Sequence, residues 1–235
     1  MRKTVGILGG MGPEATLDFF EKVIRATPAE KDQDHLRIFI DNNPQIPDRT
    51  DAILYGEKSP LGALTASAQG LEKMGAHGIA VPCNTAHYYH SSLQAGVSIP
   101  VFNMIEETGS ELASLSLSSN RVGLLATDGT VAAEIYHHVL SLMDVEVVVP
   151  DGVYQRLVME SIYGKKGIKA GWFREPKEQI LKVVHYLEAQ DCKAVIAGCT
   201  EIPLVLSSTD ASVPVLDPTE ILAKTVVKFG LGEGE

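Results

Sequence analysis

Val5-Gly6-Ile7-Leu8 returns as Val122-Gly123-Leu124-Leu125, 117 positions later. Cys83-Asn84-Thr85 returns as Cys199-Thr200-Glu201, 116 positions later. Ile99-Pro100-Val101-Phe102 returns as Val213-Pro214-Val215-Leu216, 114 positions later. Three anchors at nearly one spacing, close to half of a 235-residue chain, indicate two similar halves related by a pseudo-twofold axis. The repeated apolar tetrapeptide is a buried strand in each half, and the first copy runs into Gly9-Gly10-Met11-Gly12-Pro13. Proline suits the first turn of a helix, so a helix starts there.

Outward from these anchors the same alternation continues. Strands are predicted at Thr4–Leu8, Leu36–Ile40, Ile79–Val81, Val122–Ala126, Val145–Val149 and Ala194–Ala197. Helices are predicted at Leu61–Met74, after Thr85, at Val131–Leu142 and at Gln179–Ala189. Short apolar strands between helices of ten or more residues mean βαβ units and parallel sheets. The fold class is therefore α/β: two pseudo-symmetric Rossmann-like halves with a site in the cleft between them. Residues 1–104 with 211–235 are assigned to the first half and 105–210 to the second. Ser114–Asn120 is the most linker-like run.

In parallel α/β sheets ligands bind beyond the carboxyl ends of the strands. Each half places a cysteine there, Cys83 and Cys199, so two thiols face one cleft. A helix starting after each cysteine favours its thiolate through free N–H groups and the helix dipole. One thiolate removes a proton, and one thiol returns a proton to the opposite face. That pair inverts a stereocentre without a cofactor. Cys192, just ahead of a predicted strand, reads as a buried small apolar residue.

The charge balance narrows the partners. Twenty Lys and Arg stand against 30 Asp and Glu, a formal net charge of −10. Nucleic acid and anionic membranes need clustered cations and are disfavoured. No apolar run reaches the roughly 18–20 residues that span a bilayer. The chain shows no signal peptide, and three cysteines do not make a disulfide framework, so a cytoplasmic protein is expected. A small anionic substrate remains open. Gly9–Gly12 offers backbone N–H groups ahead of a helix. Asn84, Thr85 and Thr200 add donors. Arg49, after the stiff Pro44-Gln45-Ile46-Pro47 loop, can hold a carboxylate bidentately. Lys165, Lys166 and Lys169 lie in a glycine-punctuated flap, Gly164–Gly171.

Rival readings remain at this point. Gly10-Met11-Gly12-Pro13-Glu14-Ala15 matches G-x-G-x-x-G/A, but the acidic residue about 20 positions on is missing, which weakens nucleotide binding. Cys83, His87, Cys199 and Glu201 can be imagined as a metal site, though no Cys-x-x-Cys accompanies them. A Cys–His hydrolase with His87 as base leaves one cysteine unused. A sensor or carrier leaves both unexplained.

Pro82-Cys83-Asn84-Thr85-Ala86-His87 and Gly198-Cys199-Thr200-Glu201 resemble the two active-site motifs of the cofactor-independent aspartate/glutamate racemase superfamily. Gly6–Pro13, Asn42–Thr50, Met104–Thr108 and Asp217-Pro218 resemble its aspartate racemase branch. The resemblance covers essentially the whole chain. It implies racemisation of aspartate, with glutamate or another acidic amino acid as the alternative, by two cysteines with no pyridoxal phosphate or metal. It implies Cys83 and Cys199 as the acid/base pair and Arg49 on the side-chain carboxylate, with Lys169 assisting or Lys166 in its place. It implies Asn84, Thr85, Thr127, Thr200 and the Met11-Gly12 backbone on the α-carboxylate and amino group. A homodimer is also implied.

Overall fold

The computed structural model describes residues 2–233. Strands β1 (Val5–Gly9), β2 (Ile38–Asn42) and β3 (Gly78–Ala80) form a parallel sheet of order β2-β1-β3. Strands β4 (Arg121–Leu125), β5 (Glu146–Val148), β6 (Ala194–Ala197) and β7 (Val215–Leu216) form a second, of order β5-β4-β6-β7. The two orders are the same. Where β7 flanks β6, Val101 bridges Ile79 of β3 in parallel. The third sequence anchor accounts for this match. Ile79 N–H donates to Pro100 O at 2.8 Å, and Val195 N–H donates to Pro214 O at 2.9 Å. Each half thus uses its proline-containing segment in the same way.

The glycine in each repeated tetrapeptide has a packing cause. A Cβ on Gly6 would stand 3.1 Å from Leu71, on helix α3 (Leu61–Lys73). A Cβ on Gly123 would stand 2.8 Å from Leu187, on α9 (Arg174–Ala189). In both halves a helix rests directly on the central strand. The strand period of two sorts the other side chains. Val5, Ile7, Val122, Leu124, Ala194 and Ile196 enter one core shared by both halves. Leu8, Ile79 and Val81 face an outer core under α3. Leu125, Val195 and Ala197 face another under α9 and α8 (Gly152–Tyr163).

The shared core holds the halves together. Helix α1 (Pro13–Ala26) buries Ala15, Phe19 and Val23 at four-residue spacing. Helix α10 (Pro218–Leu231) lies on α1 and on α5 (Met104–Ser114) and buries Leu222, Val226 and Val227. Within 211–235, then, Val215–Leu216 extends the second sheet while α10 covers α1. No helix among the described residues is long and apolar enough to cross a membrane.

Several elements differ from expectation. The helix expected over Val131–Leu142 is two, α6 (Asp128–Ala132) and α7 (Ile135–Ser141), because Glu134 adopts a left-handed conformation at φ 52°. Arg49 opens a helix, α2 (Arg49–Tyr55), capped by the Asp48 carboxylate, and is not part of the loop. The cysteines are not followed directly by α-helices. Cys83 leads into a 3₁₀ turn, Thr85–Tyr89, and only then α4 (His90–Gln94). Cys199 leads into a 3₁₀ turn, Ile202–Leu204, where Pro203 disfavours the α conformation of the residue before it.

Candidate active site

The carboxyl ends of β3 and β6 deliver Cys83 and Cys199 to the walls of one chamber between the halves. It holds about 10 Å³, roughly the room of one water molecule. Met11, Arg49, Asn84 and Thr85 line it from the first half. Thr127, Lys169 and Thr200 line it from the second, with Tyr163 and Glu201. Gly12 lies outside, in a vestibule of about 370 Å³ that shares Met11, Arg49, Lys169 and Glu201 with the chamber. Those side chains are the wall between the two spaces.

Local hydrogen bonds fix each part. Thr16 Oγ1 accepts from Gly10 N–H at 2.8 Å and donates to Gly12 O at 2.9 Å, holding the glycine turn against α1. The expectation that all N–H groups of Gly9–Gly12 are open to an anion is therefore corrected for Gly10. Tyr136 of α7 donates its hydroxyl to Asn84 Oδ1 at 2.6 Å. The hydroxyls of Thr85, Thr127 and Thr130 sit within 2.7–3.2 Å of one another across the two halves. Arg49 donates to Pro47 O at 3.0 Å. Among the residues that line the chamber, two buried donors have no protein partner: Arg49 Nε and Asn84 Nδ2. An unpaired buried donor costs free energy, so an acceptor brought into the chamber is favoured there.

The surroundings of the two thiols differ. The guanidinium of Arg49 lies beside Cys83; against its burial, the Cys83 sulfur, Asp48 and Tyr163 hold it firmly protonated. Cys199 donates to Glu201 Oε2 at 2.9 Å, while Glu201 Oε1 is paired with Lys169 Nζ at 2.6 Å. Burial first, and then the Glu201 carboxylate, push the Cys199 thiol well up. The expected depression by a helix dipole is thus reversed at Cys199, which has a carboxylate at its side and only a short turn after it. Cys192 is buried in the outer core of the second half and does not line this chamber.

Of the three flap lysines only Lys169 lines the chamber. Lys166 pairs with Glu175 at 3.0 Å and lies over the Trp172 ring outside. His87 is turned away from base chemistry. Met104 N–H donates to its Nε2 at 3.1 Å, so the proton sits on Nδ1 and is donated to Cys83 O at 2.9 Å. Burial brings its pKa down to about 4. Both ring nitrogens are committed to backbone, which removes the base that the hydrolase reading needs. Among the described residues, no group of three or more His, Cys, Asp or Glu side chains converges as metal ligands do.

Glu201, Tyr163, Thr130 and Tyr136 are contributors that the motifs do not announce as such. Glu201 stands two residues after Cys199 inside the repeated motif, which is the one signal available for it. A larger cavity, about 540 Å³, lies elsewhere, between α1, α10 and the segment before β7. Its lysines are already paired, Lys22 with Asp18 and Asp217 and Lys224 with Glu220.

The chain is similar to known racemases over almost its whole length. Over 229 residues the chain is 31% identical to the broad specificity amino-acid racemase RacX of Bacillus subtilis, covering 95% of this chain and 96% of that one. An aspartate racemase of Picrophilus torridus superposes with a TM-score of 0.85 at 36% identity, over 97% of this chain and 94% of that one. An aspartate racemase homologue of Pyrococcus horikoshii superposes at 0.76 with 27% identity, over 97% and 99%. Residues 8–226 match a family described as Asp/Glu/hydantoin racemase, and with both cysteine motifs inside that span, the chain belongs to this racemase family.

Proposed function

We propose that this amino-acid racemase interconverts L- and D-aspartate by a two-base mechanism, with Cys83 and Cys199 as acid and base and neither pyridoxal phosphate nor metal. The observation that carries the reading is the pair of thiols, one from each half, on the walls of one small chamber. A thiolate on one side takes the Cα proton while the thiol on the other side delivers its own to the opposite face. The S–H bond that forms on one wall matches the one that breaks on the other, so each turnover leaves the two protonation states exchanged.

The remaining residues serve binding and charge. Arg49 and Lys169 hold the side-chain carboxylate. Asn84, Thr85, Thr127, Thr200 and the Met11-Gly12 backbone hold the α-carboxylate and the ammonium group. Fixed donors stabilise the charge that spreads onto the α-carboxylate as the proton leaves. The unpartnered Arg49 Nε and Asn84 Nδ2 support an anionic ligand. Closure around the substrate keeps water from quenching the carbanion. The free thiols suit a reducing cytoplasm, and a homodimer is the proposed assembly.

A second reading is a wider range of amino acids, supported by the likeness to the broad specificity racemase of Bacillus subtilis. Glutamate is only one methylene longer than aspartate, a difference typically worth about 1–3 kcal/mol. Proton NMR of L-aspartate in D₂O, with reduced protein, EDTA and no added cofactor, tests the proposal. The Cα–H signal is expected to fade, with D-aspartate appearing on chiral analysis. Its persistence removes aspartate as substrate. Cys83→Ala and Cys199→Ala are each expected to abolish racemisation, and a single variant at wild-type rate refutes the two-base scheme.

A further inference from the structure

We infer that Glu201 is a positioning residue that stands in for the substrate's side-chain carboxylate on Lys169 and, through its other oxygen, keeps Cys199 protonated. The inference rests on the racemase reading and deepens it. Glu201 is 3% exposed and bridges two groups, Lys169 Nζ on Oε1 and the Cys199 thiol on Oε2. Both contacts are charge-assisted and lie in a low-dielectric wall, where such interactions are strongest. The Lys169 side chain is 25% exposed, so it belongs to the vestibule as well as to the chamber.

The chamber explains why the bridge has to open. With room for about one water molecule it does not hold an amino acid. The wall between chamber and vestibule contains Lys169 and Glu201, and a substrate passing that wall brings a carboxylate of its own to the ammonium. Substrate and Glu201 then compete for one cation. A side chain without a carboxylate leaves the Lys169–Glu201 pair intact.

The same bridge sets the charge beside the thiol. The groups facing Cys199 are Glu201 on its own segment, Lys169 on the flap, Tyr163 on α8, Tyr136 on α7 and, on the other wall of the chamber, the Cys83 thiol. Burial keeps both phenols neutral. The charges are therefore Glu201, which favours the thiol, and Lys169, which favours the thiolate. Cys83 has Arg49 and Lys169 as its facing cations and no carboxylate of this kind. In the resting site Cys199 is thus the proton donor. When its S–H bond breaks to form the new Cα–H bond, the thiolate left beside Glu201 depends on Lys169 for its counter-charge.

The test is the rate of alkylation of Cys199 by iodoacetamide at pH 7, read by peptide mass spectrometry on the full chain. Glu201→Gln is expected to raise that rate about tenfold, because a one-unit fall in a thiol pKa is a tenfold gain in thiolate. Lys169→Met is expected to lower it about tenfold, since the carboxylate is left unopposed. A rise in both variants means that the pair is only a latch over the thiol, and the proposal fails. No change in either also overturns it. Lys169 lies in the surface flap, so its variant decides the matter alone, by a fall or its absence, should Glu201→Gln not fold. In the racemase assay, Glu201→Gln is expected to lower KM for aspartate and leave KM for alanine unchanged; equal changes overturn the competition for Lys169. The alkylation readout needs no turnover, so a chain that racemises nothing still reports on the bridge, and failure of the racemase reading is seen separately when the Cα–H signal of every amino acid tested persists in D₂O.

Discussion

Acidifying the protein from pH 7 to pH 4 removes stability through one identified side chain, His87. In the fold it is a neutral tautomer clamped between Cys83 O and Met104 N–H, and burial holds its pKa down, from 6.5 to about 4. In the unfolded chain it recovers its ordinary value and binds a proton more readily. A depressed native pKa means stability that is complete above pH 6.5 and drains away as pH falls towards 4. At about 1.4 kcal/mol for each tenfold, the loss reaches about 3 kcal/mol by pH 4. That is a large share of the roughly 5–15 kcal/mol typical of a folded domain. Other groups titrate over the same interval, so the informative quantity is the difference between two proteins. His87→Asn retains a donor for Cys83 O but leaves Met104 N–H without its acceptor, at a cost of about 1–3 kcal/mol at every pH. Urea unfolding of both proteins at half-unit pH steps measures the effect. The wild type is expected to start higher at pH 7 and to approach or cross the variant near pH 4. Parallel stability curves refute the reasoning, because His87 then binds its proton equally well folded and unfolded. Racemase activity at pH 4 is expected to fall with the clamp, since His87 holds the backbone oxygen of Cys83 itself.

Two further outcomes follow from the packing and the site. Arg49→Lys is expected to lower kcat/KM for aspartate at least tenfold while changing that for alanine less, because an ammonium group replaces a planar bidentate fork; equal losses on chiral assay of both substrates reject a side-chain role. Gly123→Ala is expected to destabilise by about 1–3 kcal/mol, since its Cβ would stand 2.8 Å from Leu187, and an unchanged urea midpoint shows that α9 shifts at no cost.

Legibility from sequence divides along a physical line. The parallel sheets can be read because Val-Gly-Ile-Leu and Val-Gly-Leu-Leu are dictated by local demands: alternate burial and a helix lying on glycine. Cys83 and Cys199 can be read because each falls at the carboxyl end of an equivalent strand. Arg49 and Lys169 are legible as candidate cations, but only the fold puts Arg49 at the start of a helix and separates Lys169 from Lys166, three residues away and turned to Glu175. The part of Glu201 is not legible, because its partner Lys169 is 32 residues distant in a segment whose path depends on α8 and α9. The same holds for Tyr136, which reaches Asn84 across 52 residues. Helix ends suffer from the opposite fault. Glu134 in a left-handed conformation and Pro203 in a short turn are local features, yet apolar periodicity runs straight through both.

The duplication and the proposed chemistry pull in different directions. A repeated fold supplies two thiols at equivalent places, and equivalence alone would give them equal acidity. Two-base racemisation instead needs one thiol and one thiolate at any moment. Here the strands are equivalent and the neighbours are not. Cys83 lies against Arg49, at the start of α2, whereas the cation that the second half brings to the chamber wall, Lys169, comes from the flap and is paired with Glu201. Cys199 lies against Glu201, whereas the residue at the matching place after Cys83 is Thr85, a hydroxyl bound into the threonine cluster. A carboxylate in place of a hydroxyl at one of two matched positions adds to burial in pushing the Cys199 thiol up. On the proposed reading the fold positions the two proton carriers symmetrically about one carbon, and the motif residue two places after each cysteine decides which of them waits with its proton.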